Sequence, residues 1–202
     1  QSNNFGEVAK MYTKSSVSLL IAGGLLFLLI NCNITELYAL INKPEYNAGI
    51  TVVILVSVSE LIKLALGTNA AILSNSKYYR SFFYYSIAMS VSVILLNKYL
   101  IEIMGINGAA LSTLIVIFVF SLSRIMYVQK KMQMQPFTAK TWVLLGIIGV
   151  LFLPFYFVKI TEIPVISIFI KSIAISILYL FLVFKFRISE DFRSMVLQFN
   201  KK

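Results

Sequence analysis

Six apolar runs separated by short polar connections dominate the chain, at about 15–34, 47–73, 79–97, 106–128, 141–159 and 163–186. A hydrocarbon core about 30 Å thick takes roughly 20 helical residues to cross. The pattern therefore predicts an all-α membrane bundle of six transmembrane helices over 15–186, with sequential helices antiparallel. Residues 1–14 read as an amphipathic lead-in, with Phe5, Val8, Met11 and Tyr12 on one side. Residues 187–202 read as an interfacial tail whose Ile188, Phe192, Met195 and Phe199 recur at helical spacing. Pro44, Pro136 and Pro164 fall in or beside connections, where proline belongs, whereas Pro154 interrupts the fifth run.

Composition agrees with the pattern. The chain is 59% hydrophobic and 13% charged, against about 25% charged in soluble domains. Its net charge of +10 is not spread evenly. Thirteen basic residues, among them Lys10, Lys14, Lys77, Arg80, Arg124, Lys130, Lys131, Lys140, Lys185 and Arg187, fall on one side of the expected bundle. Only Lys43, Lys98 and Lys159 fall on the other. Basic loops stay cytoplasmic, so both termini of the segment are expected in the cytoplasm, and no nucleic-acid partner is implied. Tyrosines such as Tyr78, Tyr79, Tyr84 and Tyr99, with Trp142, cluster near the expected interfaces as an aromatic belt.

Four polar residues interrupt the apolar runs. Glu60 and Lys63 sit near the middle of the second run, three residues apart and so on one helical face. A charge at that depth costs about 2.5–3.5 kcal/mol on insertion scales, and such residues usually face a bundle interior or a water-filled path. The pair reads either as self-neutralising or as lining a polar lumen, with Asn69 continuing its stripe. Lys171 lies about seven residues into the last run, roughly 10 Å from its outer boundary at 1.5 Å per residue. It either snorkels to that face or joins Ser167, Ser172 and Ser176 in an inward stripe.

Small residues mark a packing surface. Gly105, Ala109 and Thr113 repeat every four residues, as do Gly108 and Ser112, a spacing that lets helix backbones approach closely in lipid. Catalytic chemistry has no foothold: the chain has no histidine and a single cysteine, Cys32, and its acids are scattered. No enzyme, metal or cofactor is expected. Asn33-Ile34-Thr35 matches the glycosylation triplet but lies against the expected membrane boundary.

Three stretches resemble the carboxy-terminal half of the bacterial polysaccharide flippases, within the multidrug/oligosaccharidyl-lipid/polysaccharide exporter (MATE-like) superfamily. The first runs from Phe5–Lys14 through Leu37-Tyr38-Ala39-Leu40 to Glu45-Tyr46-Asn47-Ala48-Gly49. The second is the short loop Leu73-Ser74-Asn75-Ser76-Lys77, with Asn75-Ser76 where the family usually has glycine. The third and most specific is Met104-Gly105-Ile106-Asn107-Gly108-Ala109-Ala110-Leu111-Ser112-Thr113. The resemblance implies the last six helices of a 14-helix bundle, with earlier helices preceding residue 1. It implies a bacterial inner-membrane transporter that flips lipid-linked oligosaccharide, of O-antigen or capsule type, by alternating access. Membrane lipid, polysaccharide assembly proteins and a coupling H+ or Na+ are the implied partners. Glu60, Lys63, Asn69 and Lys171 match no fixed family motif; their lumen role rests on their placement alone. A cation-coupled multidrug antiporter and a non-transport membrane scaffold are the alternatives.

Overall fold

The computed structural model describes residues 2–41 and 49–188, all of whose regular structure is helical. Eight helices are seen among them: α1 (Ser2–Asn31), α2 (Ile34–Ile41), α3 (Ile50–Ala65), α4 (Asn69–Ser74), α5 (Tyr79–Met104), α6 (Ile106–Met132), α7 (Ala139–Phe157) and α8 (Pro164–Lys185). Five are long and apolar enough to cross a membrane: α1 from Gly6, α5, α6, α7 and α8. Lys43, Pro44, the Glu45–Ala48 part of the resemblance and the tail from 189 onward lie outside the described residues.

Two of the expected elements take a different form. Residues 2–14 are no separate lead-in but the first turns of the 30-residue α1. The run expected as one helix over 47–73 is broken into α3 and α4 at Leu66-Gly67-Thr68, where Gly67 takes a φ of +54°. Only glycine adopts that conformation without strain. The 16-residue α3 is by itself too short for the crossing that the apolar pattern suggested. The segment as a whole still runs the length of the bundle. Gly49 starts it beside the Tyr38 hydroxyl of α2, and Asn69 ends the break beside Tyr12 near the start of α1.

α1 is the central helix, and its two adjacent glycines explain why. Successive helical residues point about 100° apart. Gly23 faces Leu64 of α3, while Gly24 faces Ile148 of α7 and Tyr179 of α8. A Cβ on Gly24 would lie 2.5 Å from the Ile148 side chain and 2.7 Å from the Tyr179 hydroxyl. Missing side chains thus let three helices approach one backbone. Tyr179 donates to the Ile21 carbonyl at 2.8 Å, so its hydroxyl is satisfied inside the apolar core of Leu20, Leu28, Leu144, Ile148 and Ile175. On the other side of α1, α3 packs against α6, and α6 against α5. α5 buries none of its residues and is the outermost helix.

The α5–α6 reversal shows what the Met104–Thr113 signature does physically. Gly105, with φ +58°, is the only residue between the two helices. Gly108 lies against the Leu100 carbonyl with no room for a Cβ. Ser112, one turn on, is fully buried and donates to Asn97 of α5. The Gly108–Ser112–Val116 row is therefore the buried one. Gly105 faces open space, and Ala109 and Thr113 are half-buried, the Ala109 carbonyl accepting bonds from both the Ser112 and Thr113 hydroxyls.

Candidate functional site

The structure distributes the four polar candidates over three separate places. Lys63 and Glu60 form an ion pair at 2.5 Å on α3, with side chains 43% and 56% exposed. Val56, one turn before Glu60, is exposed on the same face. α3 packs its other faces against α1 and α6, burying Ser59 and Ala65. The charged pair thus stands on an uncovered flank, halfway along the α3–α4 segment.

Asn69 does not belong to that flank. It lies beyond the break, and six residues at 100° each carry it 240° round from Lys63. The expected stripe is therefore corrected: Asn69 is 1% exposed and donates its Nδ2 to the Tyr12 hydroxyl at 2.6 Å. The break itself is held by serines from α1. The Ser16 hydroxyl donates to the Ala65 carbonyl at 2.5 Å, and Thr68 N–H donates to the Ser15 hydroxyl at 3.2 Å. Ser15 and Thr68 also share a hydroxyl–hydroxyl bond at 3.1 Å. Backbone groups freed at membrane depth need such partners, because lipid offers none.

Lys171 does not snorkel; it turns inward with Ser167, into a closed contact rather than an open lumen. It is 1% exposed and ion-paired with Glu36 of α2. Its ammonium donates in addition to the Cys32 carbonyl at 3.0 Å, and Ser167 donates to the same carboxylate at 3.4 Å. Asn33 beside it donates to the Leu29 carbonyl at 2.7 Å and to Ser172 at 3.2 Å. That commitment, with 1% exposure, closes the glycosylation triplet to modification. The chain turn Cys32-Asn33 and α2 are thereby clamped onto α8. Charges taken from water repay their desolvation only when paired and further hydrogen-bonded, and Lys171 and Glu36 meet both conditions.

Sequence reasoning missed Glu36, which looked like a loop acid in the connection 35–46. A signal was present: a lysine seven residues into an apolar helix requires an acid, and Glu36 opens the amphipathic run Ile34–Ile41. It also missed the Gly23-Gly24 pair. Among the described residues no group of histidine, cysteine, aspartate or glutamate is arranged to hold a metal ion.

The basic residues gather as the charge pattern requires. Tyr12 and Val8 of α1, Leu73 of α4, Phe82 of α5 and Val128 of α6 form one cluster, and Thr13 donates to the Gln135 carbonyl beyond α6. These contacts bring Lys10, Lys14, Lys77, Arg80, Lys130 and Lys131 to one end of the bundle. The Glu36–Lys171 clamp lies at the other.

Comparison with protein-family models, curated proteins and solved structures finds no match for this chain.

Proposed function

We propose that this chain is the helical half of an inner-membrane transporter that flips lipid-linked oligosaccharide by alternating access, with the basic end in the cytoplasm. The observation carrying the reading is the Glu60–Lys63 pair on the uncovered flank of α3. In lipid such charges are costly. Further helices facing α3 across a hydrated lumen relieve that cost and form a transport path. Lys171 is closed off by Glu36, which leaves Lys63 as the cation exposed on this flank, where a passing pyrophosphate competes with Glu60 for it. Glu60 tunes that charge. The α3–α4 segment serves as the sixth crossing, broken along its length as helices at transport sites commonly are.

A multidrug antiporter that exports cations calls for an acid free to bind them. Glu36 is closed off with Lys171 inside the bundle, and Glu60 carries Lys63 beside it, so the open flank has no net negative charge to draw a cation.

The test is deletion of the gene encoding this chain. Loss of surface glycan with accumulation of its lipid-linked precursor in the inner leaflet, reversed by the wild-type gene, is expected. Unchanged surface glycan overturns the reading.

A further inference from the structure

The basic end holds an arginine whose Nε the fold leaves unpartnered. Arg124 lies on α6, two turns before its end. Its Nε is buried without a hydrogen-bond partner, and no ion pair joins it to an acid among the described residues. Ser121, three residues earlier and on the same face, is 2% exposed, and its hydroxyl is equally unpartnered. One turn after Arg124, Val128 packs against Tyr12 and Leu73. Arg124 therefore borders the junction of α1, α4 and α6, and its charge acts on the Tyr12 hydroxyl.

The hydrogen-bond inventory at this junction is unbalanced towards donors. Tyr12 is fully buried. Its hydroxyl oxygen accepts from Asn69 Nδ2, so its own proton remains to be donated. Arg124 brings guanidinium N–H groups and Ser121 a further O–H. Buried donors of this kind carry a desolvation penalty when unsatisfied. What they lack is an anionic acceptor with several oxygens.

We infer that Arg124, Tyr12 and Ser121 form a binding site for the phosphate of an anionic phospholipid headgroup. Two features select a lipid phosphate. The site lies at the end of the bundle where Lys77, Arg80, Lys130 and Lys131 collect. Basic pockets between transmembrane helices on that side of a membrane bind anionic headgroups. Asn69 Oδ1, the remaining unpartnered atom at the junction, is an acceptor and suits a headgroup hydroxyl, as glycerol supplies. Such a site also ties α4 to α6 beneath the break in the α3–α4 segment, whether or not the chain transports anything.

The experiment is native mass spectrometry of the full-length gene product, delipidated in detergent and titrated with phosphatidylglycerol, phosphatidylcholine or inorganic phosphate. Wild-type protein is expected to retain phosphatidylglycerol in preference to phosphatidylcholine. Arg124→Gln should weaken that retention roughly fivefold to tenfold, and Arg124→Lys should keep part of it. Lys10→Gln, an exposed charge at the same end, should leave it nearly unchanged. If Arg124→Gln does not fold, Tyr12→Phe keeps the packing, removes one donor and should show a smaller loss in the same direction. Equal retention by every variant, equal retention of the two lipids, or a loss with Lys10→Gln as large as with Arg124→Gln overturns the site. Displacement of the lipid by millimolar inorganic phosphate shows a free-anion site and overturns the headgroup assignment.

Discussion

Lys171 of α8 and Glu36 of α2, 135 residues apart in the chain, form a buried ion pair that closes one end of the bundle. Removing one partner of a buried pair leaves an uncompensated charge and costs about 3–5 kcal/mol, whereas exchanging both for apolar or neutral groups is often neutral. Lys171→Met is therefore expected to lower thermal stability in detergent sharply. Adding Glu36→Gln should restore most of the loss. A double variant as unstable as the single would show that the two residues act separately.

The Gly23-Gly24 pair makes a second, sharper prediction. Gly24→Val puts atoms where Ile148 and the Tyr179 hydroxyl already are, and overpacking of this kind costs about 1–3 kcal/mol. Gly146 on α7 has nothing within 4 Å of its Cβ position. Gly146→Ala should be neutral or slightly stabilising through helix propensity. Melting curves for the two variants, measured side by side, check the assignment of α1 as the central helix.

The break between α3 and α4 depends on one glycine and one hydroxyl. Gly67→Ala forces a positive φ on an L-residue, at roughly 1–2 kcal/mol, and pushes its Cβ to 2.6 Å from the Ser16 backbone nitrogen. Ser16→Ala leaves the Ala65 carbonyl without its donor, at about 1–3 kcal/mol. Both should destabilise, and Gly67→Ala more. Proteolysis within 66–68 should rise in step with the loss. A Gly67→Ala protein as stable as wild type would mean that α3 and α4 join as one helix.

Lys63 separates transport from structure. If it meets the pyrophosphate, Lys63→Met abolishes surface-glycan assembly with or without Glu60→Gln, and Lys63→Arg retains part of it. If it serves only to neutralise Glu60, the double exchange leaves assembly intact. The first pattern is expected, scored in a strain lacking the native gene, with membrane levels of each variant matched. Wild-type glycan from the double variant would remove the substrate role.

Orientation can be read with cysteine labelling, because Cys32 is buried and contributes little background. A cysteine at Lys131 should be protected from an impermeant reagent added to spheroplasts, and one at Lys159 should react. The reverse would invert the assigned topology.

Much of this molecule is legible from the order of its residues. The apolar runs, the membrane setting and the collection of basic residues at one end follow from local hydropathy and from charge counted loop by loop. The start of α8 at Pro164 follows from backbone chemistry that a single residue carries, whereas the third run, expected to end near 97, continues to Met104 and reverses at Gly105 alone. The Glu60–Lys63 pair was equally visible, because partners three residues apart on a helix meet whatever surrounds them. Which polar residues are satisfied by distant partners was decided only in three dimensions. Lys171 looked like a lumen or snorkelling residue until α2 brought Glu36 to it. Asn69 looked like a continuation of the Lys63 stripe until Gly67 and the α1 serines broke the helix and turned it onto Tyr12. Arg124 looked like one more topology charge until the folded bundle buried its Nε. The physical reason is the same each time. Hydropathy is a property of neighbouring residues, whereas the pairing of a buried charge is set by helix contacts between residues far apart in the chain.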